Sequence, residues 1–406
     1  MMAAVAAARQ GAEVTLFERN DRIGKKLLAT GNGKCNLGNM RLSETEYYGS
    51  RAEWISECLK RFGTGDTIQF FQGIGLLIKE KNGYLYPACE QAAVVLDVLR
   101  ITLKELRVHI VTDCKINRIV PAALQEKGST RIVLYAGEKS YAFDSVVIAC
   151  GSKAAPKTGS DGSGYKLAGQ LKHSVVPVAP ALVQLRCRED YLKSVSGVRC
   201  DARISILDEQ RREIASERGE LQLTDYGISG IAVFQLSRIV NYMLREKKEV
   251  VVRIDLLPGF SGEEYRHMKE QRASLQKGKN AEEYFTGTLN KKLVMLFLKM
   301  AGLKPSQSME SADKKAVEQV FSFFRSWELH VTGSNPYENA QVCAGGVDTR
   351  EITGDMESKK VPGVFFAGEI LDVDGKCGGY NLQWAWCSGY LAGRAAAGKK
   401  TQEEIY

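Results

Sequence analysis

The sequence predicts an α/β protein whose main sheet is built from both ends of the chain and is interrupted by a smaller, mostly antiparallel β region. Short apolar strands alternate with helices from Met1 to about Pro177, and a strand of the same kind, "GVFFAG", returns near the carboxyl end. In the middle of the chain the segments "ALVQLRC", "ARISILD" and "EVVVRIDLL" are typical of antiparallel strands. At 406 residues the chain is long enough for two or three domains.

The changes of pattern give the expected domain boundaries. Residues 1–177 and 335–406 form the α/β domain, and residues 178–260 and 325–334 form the β region. Residues 261–324 are helical and charged, with apolar clusters in "KKLVMLFLKMAG" and "VEQVFSFF". The segment "WELHVTG" is expected to return to the β region as a strand.

The composition narrows the class of protein. With 44% hydrophobic and 26% charged residues, no apolar run of membrane-spanning length and no signal peptide, the chain is expected to be cytoplasmic. Its ten cysteines are scattered without CxxC or zinc spacing, so a reduced compartment and no metal site are expected. The net charge of +8 is mild, and basic residues often stand beside acids, which favours a solvated surface over a nucleic-acid partner.

The first element is a helix that ends in a turn and a strand. Met1 to Gln10 are strong helix formers, Gly11 stands where a helix-ending glycine belongs, and Ala12 to Phe17 form a short strand closed by Glu18. These are the last parts of a dinucleotide-binding βαβ unit, in which an acid at the strand end accepts the ribose hydroxyls. Strands also end in acids for purely structural reasons, so Glu18 alone does not decide the point.

The segment "LLATGNGKCNLGN" (27–39) combines three useful residue types. Its glycines let the chain pass close to a ligand, its asparagines can donate to and accept from a heterocycle, and nearby lysines add charge for a phosphate. These residues are Gly31, Gly33, Gly38, Asn32, Asn36, Asn39, Lys25, Lys26 and Lys34. Cys35 has no neighbouring cysteine, which favours a packing or ligand-contact role over nucleophilic chemistry.

Two further strand regions are expected before the β region. "RIVLYAG" and "SYAFD" pair as a hairpin around Gly137, and "SVVIACG" is a buried strand that ends on Gly151, at the sheet edge that receives ligands. The polar loop "PKTGSDGSGY" (156–165) follows, and it either lines a substrate mouth or is a plain surface loop.

The carboxyl-terminal stretch "PGVFFAGEILDVDGKCGGYNLQWAWCSGYLAG" carries the densest signal. Gly368 and Glu369 stand at the end of a buried strand, and Gly378 and Gly379 come just before a helix from about residue 380 to 392. A glycine-led helix start exposes free N–H groups at the positive end of the helix dipole. Such a site favours negative charge, as at the pyrimidine edge of a reduced flavin.

Three stretches resemble a widespread bacterial family of FAD-dependent flavoproteins, often called NAD(P)/FAD-dependent oxidoreductases or aminoacetone-oxidase-like proteins. They are "RIGKKLLATGNGKCNLGN", "GGV" (345–347) and "GVFFAGEILDVDGKCGGYNLQWAWCSGYLAG". The middle segment "GELQLTDYGISGIAVFQLSR" is also similar to the family, although Ile231 stands where a proline is usual. The resemblance implies a glutathione-reductase-like FAD-binding Rossmann domain with an inserted β-barrel, which carries a helical subdomain and shields the flavin. The family includes reductases proposed for bile-acid dehydroxylation pathways.

The resemblance also implies residues that bind FAD. Glu18 would take the adenosine ribose, the backbone of Ile116 would contact the adenine, and Glu369 would meet the ribityl–pyrophosphate region. The glycine- and asparagine-rich segment would line the flavin and ribityl side, and the last helix start would cap the pyrimidine edge. The full set is Glu18, Arg19, Lys26, Gly31, Asn32, Gly33, Cys35, Asn36, Ile116, Gly151, Gly368, Glu369, Gly378, Gly379, Tyr380, Asn381 and Leu382.

Family members begin with a strand and a glycine loop ahead of the first helix, so Met1 is expected to match an internal position. The chain as given is therefore expected to bind FAD more weakly than one extended upstream.

The function that the resemblance implies is reduction of an unsaturated or carbonyl-bearing small molecule with hydride from NAD(P)H. An oxidase of a small amine and a flavin-binding module with an RNA-associated or regulatory role are the alternatives. The chain has no CxxC, which excludes the disulfide chemistry of glutathione reductase, and no second GxGxxG, so NAD(P)H is expected to bind only transiently. The substrate, the catalytic residues and the oligomeric state stay open.

Overall fold

The computed structural model of the protein describes residues 1–121 and 131–398, so residues 122–130 and 399–406 of the expected α/β domain lie outside the described residues. The chain forms two compact units. Met1–Ala179 and the chain from Ala340 onward make the first unit, and Pro180–Asn339 makes the second. Each unit has a buried apolar core of its own.

The first unit is a mixture of helices and short strands, numbered here along the chain. Its helices are α1 Met2–Arg9, α2 Lys25–Ala29, α3 Ala52–Arg61, α4 Thr64–Gly73, α5 Ala92–Glu105, α6 Ser163–Gln170 and α12 Tyr380–Ala396. Its strands are β1 Thr15–Phe17, β2 Gly38–Asn39, β3 Tyr47–Gly49, β4 Ile78–Lys81, β5 Tyr84–Pro87, β6 His109–Val111, β7 Arg118–Val120, β8 Ile132–Ala136, β9 Lys139–Phe143, β10 Val146–Ile148, β11 Val175–Ala181, β18 Val342–Val347, β19 Val364–Phe366 and β20 Val373–Gly375.

Two parallel strand pairs place the ends of the expected ligand-binding strands. Strand β1 pairs with β6 in the register Thr15↔His109, and β10 pairs with β19 in the register Val146↔Val364. Within the described residues these pairs form separate two-stranded sheets. Because ligands bind at the carboxyl ends of parallel strands, the residues that follow β1, β10 and β19 are the ones to examine for a site.

Helix α12 packs closely against α1. A Cβ atom added to Gly393 would lie 2.2 Å from the carbonyl oxygen of Ala3, and one added to Gly389 would lie 3.1 Å from Cβ of Met2. Small residues on both helices therefore allow their backbones to approach. This contact fixes the direction of α12 and with it the position of its amino-terminal end.

Small sheets complete the first unit. Those with the orders β2-β5-β4 and β7-β8-β9 and the pair of β20 with β3 are antiparallel, and β11 lies beside β18. The hairpin predicted around Gly137 is confirmed, since β8 and β9 pair from Ile132↔Phe143 to Ala136↔Lys139.

The second unit contains a closed barrel of six strands in the order β12-β15-β14-β13-β16-β17. The strands are β12 Leu185–Cys187, β13 Arg199–Leu207, β14 Glu213–Leu223, β15 Gly227–Ser229, β16 Val250–Asp255 and β17 Trp327–Ser334. The helices are α7 Ile231–Arg245, α8 Gly262–Ala273, α9 Ala281–Phe285, α10 Lys291–Met300 and α11 Lys314–Ser326. The strand predicted in "WELHVTG" is confirmed as β17, which pairs with β16 and β12.

The predicted fold class, an α/β part with an inserted β-barrel and a helical part, is confirmed. In the part of the chain that the structure describes, none of the helices combines the length and apolar character needed to cross a membrane.

Candidate functional site

Glu18 lies at the carboxyl end of β1, and its carboxylate accepts a hydrogen bond from the backbone two residues later in the chain. Oε1 accepts a hydrogen bond from the N–H of Asn20 at 2.8 Å. The backbone carbonyl of Glu18 accepts from the N–H of Cys114 at 2.9 Å, which brings the segment after β6 alongside β1. Glu18 is half-buried.

Asp161 joins the neighbours of Glu18. Its carboxylate forms ion pairs with Arg19 and with Lys115, the latter at 3.0 Å. Burial alone would raise the pKa of Asp161, but hydrogen bonds from Ser163, Arg19 and Lys115 outweigh it and hold the pKa well below the usual range. The loop 156–165, for which the sequence left a substrate mouth or a plain surface loop open, thus packs beside the Glu18 strand end.

Ile116 lies at the same end of the first unit. It lines a cavity of about 210 Å³ together with Lys115, Asn117, Asp161, Ser163, Lys166 and Leu167. The structure therefore brings Glu18, Arg19 and Ile116 into one neighbourhood.

A second group joins α2 to the end of β19. Lys26 Nζ and Glu369 Oε2 form an ion pair at 2.6 Å, and both side chains are mostly buried. Ser152 Oγ donates to the same Oε2 at 3.0 Å, and Lys26 Nζ also donates to the carbonyl of Ala154 at 3.4 Å. Because Ser152 follows Gly151 at the end of β10, the predicted residues Lys26, Gly151 and Glu369 lie together.

Gly368 is held by α12. Its N–H donates to Ser388 Oγ at 2.9 Å, and its carbonyl accepts from Trp384 Nε1 at 3.3 Å. The loop after β19 is therefore tied to the helix whose amino-terminal end carries the remaining predicted residues.

The loop from Gly31 to Asn36 passes from exposed to buried. Gly31, Asn32 and Gly33 are exposed and have positive φ values of 55°, 53° and 82°. Cys35 is fully buried with a φ of 56°, and burial raises the pKa of its thiol to about 12. A protonated, inaccessible thiol agrees with the packing interpretation and not with a nucleophile.

Asn36 carries a buried acceptor without a partner. Its side chain is 9% exposed, and Oδ1 makes no hydrogen bond. A Cβ atom added to Gly379 would lie 2.7 Å from this oxygen, so Asn36 and the start of α12 are in close contact. Leaving a buried acceptor unsatisfied costs about 1–3 kcal/mol, which a ligand with an N–H donor would recover.

The start of α12 presents backbone donors. Gly378 and Gly379 have φ values of 127° and 94°, which favour glycine. The N–H groups of Tyr380, Asn381 and Leu382 belong to the first turn of the helix, where no partner within the helix exists. They lie at the positive end of the helix dipole and are suited to a partial negative charge.

The side chain of Asn381 is engaged within the protein. Its Nδ2 donates to the carbonyls of Gly375 and Lys376 at 2.7 and 3.3 Å, and its Oδ1 accepts from the N–H of Gly375 at 2.9 Å. The carboxamide therefore shapes the loop before α12, and only the backbone N–H of Asn381 remains for a ligand.

The lysines of this region are neutralised by carboxylates. Lys25 pairs with Asp21 at 2.5 Å, and Lys34 pairs with Glu90 at 2.8 Å. Hydrogen bonds from Lys34 and Lys79 bring the pKa of Glu90 to about 2. Neither Lys25 nor Lys34 is thus a spare charge for a phosphate, and Lys26 alone of the three pairs with another predicted site residue.

Sequence reasoning missed three residues that organise the site. Ser152 could have been found, because it follows Gly151 at a strand end. Asp161 stands in the polar loop 156–165, which the sequence analysis had already singled out. Ser388 lies inside α12 and carried no signal, because only the fold brings it to Gly368.

The comparison with protein families shows to which family the chain belongs. Residues 1–395 match the HI0933-like protein Rossmann domain. The chain belongs to the HI0933-like family. As in that family, its α/β unit is a Rossmann-type FAD-binding domain, and the protein is an FAD-dependent oxidoreductase, as the sequence predicted.

Several curated proteins are similar over almost the full chain. A 3-dehydro-bile acid delta(4,6)-reductase of Clostridium scindens is 41% identical over 400 residues, which cover 98% of this chain and 96% of the relative. A ribosomal RNA dihydrouridine synthase of Haemophilus influenzae is 31% identical, covering 94% of this chain and 92% of the relative. One from Escherichia coli is 29% identical, covering 96% and 93%.

Proposed function

We propose that this HI0933-like protein uses a nicotinamide cofactor to reduce its FAD and then saturates a carbon–carbon double bond conjugated to a carbonyl group in a steroid acid. The observation that carries the proposal is the 41% identity, across 98% of the chain, to a 3-dehydro-bile acid delta(4,6)-reductase. A cytoplasmic location is part of the proposal, since NADH and NADPH are both found in the cytoplasm.

The relatives support a common reaction even though their names differ. Dihydrouridine differs from uridine by two hydrogens across a double bond that is conjugated to a carbonyl. A bile acid with a 3-oxo group and unsaturation in the ring system offers the same electronic arrangement. Addition of a hydride and a proton across an activated double bond therefore describes both named activities.

The residues assigned to FAD follow from the three groups of the first unit. Glu18 would accept the ribose hydroxyls, Lys26 with Glu369 would border the ribityl–pyrophosphate region, and Asn36 would accept a hydrogen bond from the flavin ring. The N–H groups at the start of α12 would face the pyrimidine edge, where charge develops on reduction. When bound, FAD supplies hydride transfer to the substrate carbon.

A second candidate function is reduction of uridine in ribosomal RNA. It is favoured by the two dihydrouridine synthase relatives, which are at odds with the expectation that nucleic acid is an unlikely partner. The steroid acid is preferred because its named reductase is the more similar relative, at 41% against 31% identity. Amine oxidation and a flavin-binding module with an RNA-associated or regulatory role are the alternatives from the sequence.

The test is anaerobic and follows the flavin absorbance. Holoprotein is bleached with NADH or NADPH and then mixed with a 3-oxo-4,6-diene bile acid or with a uridine-containing ribosomal RNA fragment. In a separate aerobic assay without nicotinamide, oxidised holoprotein is mixed with aminoacetone. Rapid return of the oxidised spectrum with the bile acid, and a product heavier by two hydrogens, is the expected result. Return only with the RNA would transfer the function to uridine, and hydrogen peroxide released with the amine would make the protein an oxidase.

A further inference from the structure

The loop before α12 rests on one face of the β2-β5-β4 sheet. Asn39 of β2 faces Tyr84 of β5 in the antiparallel register, so their side chains share a face. Asn39 is 5% exposed, and its Nδ2 donates to the carbonyl of Gly378 at 3.1 Å. A Cβ atom added to Gly378 would lie 2.9 Å from Cε1 of Tyr84, so the tyrosine ring packs on the glycine loop.

Tyr380 and Arg41 extend this group. The ring of Tyr380 lies 3.5 Å from the same Cβ position, and its hydroxyl donates to the backbone carbonyl of Arg41 at 3.4 Å. The N–H of Arg41 donates to Asn39 Oδ1 at 2.9 Å, which fixes the arginine backbone beside the loop. Tyr84 is 36% exposed and Arg41 is exposed, so both side chains reach solvent from a rigid base.

Arg41 differs from Lys25, Lys26 and Lys34 in whether a nearby carboxylate neutralises its charge. Lys25, Lys26 and Lys34 each have a carboxylate within 2.8 Å. Among the residues that the structure describes, Arg41 has no carboxylate within ion-pair distance. An arginine that is fixed at its backbone and carries uncompensated charge beside a glycine loop is suited to bind an oxygen on which negative charge develops.

We propose that Arg41 and Tyr84 form a substrate subsite, in which the Arg41 guanidinium binds the conjugated carbonyl oxygen and the Tyr84 hydroxyl donates the proton that completes the reduction. This inference rests on the proposed function, because it assigns two residues of this chain to an activated double bond. It adds a named proton donor and a named anchor, two roles to which the sequence pattern assigned no residue.

The reduction is balanced in electrons and protons. Hydride from the reduced cofactor forms a C–H bond at one carbon of the double bond, whose π electrons move through the conjugated system to the carbonyl oxygen. Arg41 stabilises the resulting enolate oxygen by charge-assisted hydrogen bonds. The electron pair then returns to the other carbon of the former double bond, which takes the proton from Tyr84 Oη, and solvent reprotonates the tyrosine.

The first experiment separates binding from proton transfer. A 3-oxo-4,6-diene bile acid is titrated into oxidised holoprotein, and the dissociation constant is read from the change in flavin absorbance. Arg41→Met is expected to weaken binding by about tenfold or more, the range for a hydrogen bond to a charged group. Tyr84→Phe keeps the ring on Gly378 and is expected to leave the dissociation constant within about threefold, because the hydroxyl acts only on the developing product.

The second experiment follows the proton. Reduced Tyr84→Phe holoprotein is expected to be reoxidised by the bile acid about 100-fold or more slowly, the usual contribution of a general acid. In deuterium oxide the wild-type product should carry solvent deuterium on a single face of the carbon, whereas Tyr84→Phe should place it on both faces. A merely structural role of Tyr84 would not change the face that receives deuterium.

Two control variants, Arg100→Met on α5 and Tyr135→Phe on β8, remove the same chemical groups elsewhere and should behave as wild type. If Arg41→Met weakens FAD binding instead of bile-acid binding, or if Tyr84→Phe keeps single-face deuteration, the subsite is wrong. If the wild-type protein is not reoxidised by the bile acid at all, the proposed function itself fails, which is a different outcome.

Discussion

Lys26 and Glu369 lie 343 positions apart in the chain, yet their side chains form an ion pair at 2.6 Å. The pair joins the helix after β1 to the loop after β19 and is reinforced by Ser152 at 3.0 Å from the same oxygen. Both charges are mostly withdrawn from solvent, so each depends on the other for compensation. The region assigned to the ribityl–pyrophosphate part of FAD is thus neutral only while both residues are present.

Replacing Lys26 should therefore weaken the binding of FAD. In Lys26→Met the carboxylate of Glu369 keeps its charge without a cationic partner and repels the pyrophosphate, so the dissociation constant for FAD should rise by about tenfold or more. The measurement is a titration of apoprotein with FAD, followed by quenching of flavin fluorescence. Lys25→Met is the matched control, because Lys25 belongs to the same helix and pairs with the exposed Asp21. Equal effects of the two substitutions would show that Lys26 has no special role.

Because Oδ1 of Asn36 is buried without a partner, replacing Asn36 should change the stability of the apoprotein and the affinity for FAD in opposite directions. Asn36→Leu removes a buried acceptor that makes no hydrogen bond, so the apoprotein should melt at the same or a higher temperature, since an unsatisfied group costs about 1–3 kcal/mol. FAD should bind about tenfold or more weakly, because its ring N–H loses the acceptor. Thermal denaturation with and without added FAD measures both effects. An apoprotein that is clearly destabilised would mean that Asn36 serves packing alone.

Asn381→Leu should act differently, because this carboxamide is fully engaged. Loss of its bonds to Gly375 and Lys376 should destabilise apoprotein and holoprotein alike and lower the FAD content on purification. Neutral-pair hydrogen bonds contribute about 1 kcal/mol each, so a loss of about 2–3 kcal/mol is expected. Unchanged FAD content and an unchanged flavin reduction potential would contradict the role of the loop.

Two glycines with similar φ angles should respond unequally to alanine. A Cβ at Gly379 meets the backbone carbonyl of Gly38 and Oδ1 of Asn36, both at 2.7 Å, whereas a Cβ at Gly368 meets nothing within 4 Å. Gly368→Ala should cost only the strain of a positive φ, about 1–2 kcal/mol. Gly379→Ala must also displace the start of α12, so it should purify with little or no FAD. Flavin absorbance per protein and chemical denaturation distinguish the two, and equal FAD content would refute the close-contact interpretation.

The parts of the fold that the sequence predicted well are those with local signals. The turn at Gly11, with a φ of 83°, and the hairpin at Gly137 follow from residues adjacent in the chain. The inserted β region was visible because its strands alternate differently from those of the α/β part. Its closure into a barrel came only from the family resemblance, because pairing of β12 with β17 joins segments that local patterns cannot connect.

In the candidate site, too, features with a local sequence signal were predicted and contacts between distant residues were not. The helix start at Gly379 was predicted correctly, because two glycines directly before a helix-forming run are a local and specific signal. The partners of charged and amide side chains were not predicted, because they come from distant parts of the chain: Lys34 pairs with Glu90, and Asn39 donates to Gly378. The sequence therefore predicted where the candidate site lies better than it predicted which of its side chains are available to bind a ligand.

A buried histidine in the first unit makes stability depend on pH. His173 has a fully buried side chain, with Nδ1 2.9 Å from Glu351 Oε2 and Nε2 2.7 Å from Ser358 Oγ. Burial lowers the pKa of His173 from 6.5, although Glu351 opposes the shift and Lys360 adds to it. Burial would raise the pKa of Glu351, but hydrogen bonds from Lys360 and Ser174 bring it to about 2.

These shifts predict two separate losses of stability on acidification. The unfolded chain takes up a proton on His173 below about pH 6.5 while the folded protein does not, so the free energy of unfolding falls as the pH drops from there to the lower folded pKa. The ionised carboxylate of Glu351 stabilises the fold above about pH 4.5, and that contribution is lost as the pH falls from 4.5 to about 2. His173→Gln should therefore remove part of the slope between pH 7 and 5, at most about 1.4 kcal/mol per pH unit, and leave the more acidic part unchanged. Urea denaturation at a series of pH values measures this, with His267→Gln, an exposed histidine, as the control. A slope in His173→Gln equal to that of the wild type would assign the dependence to another group.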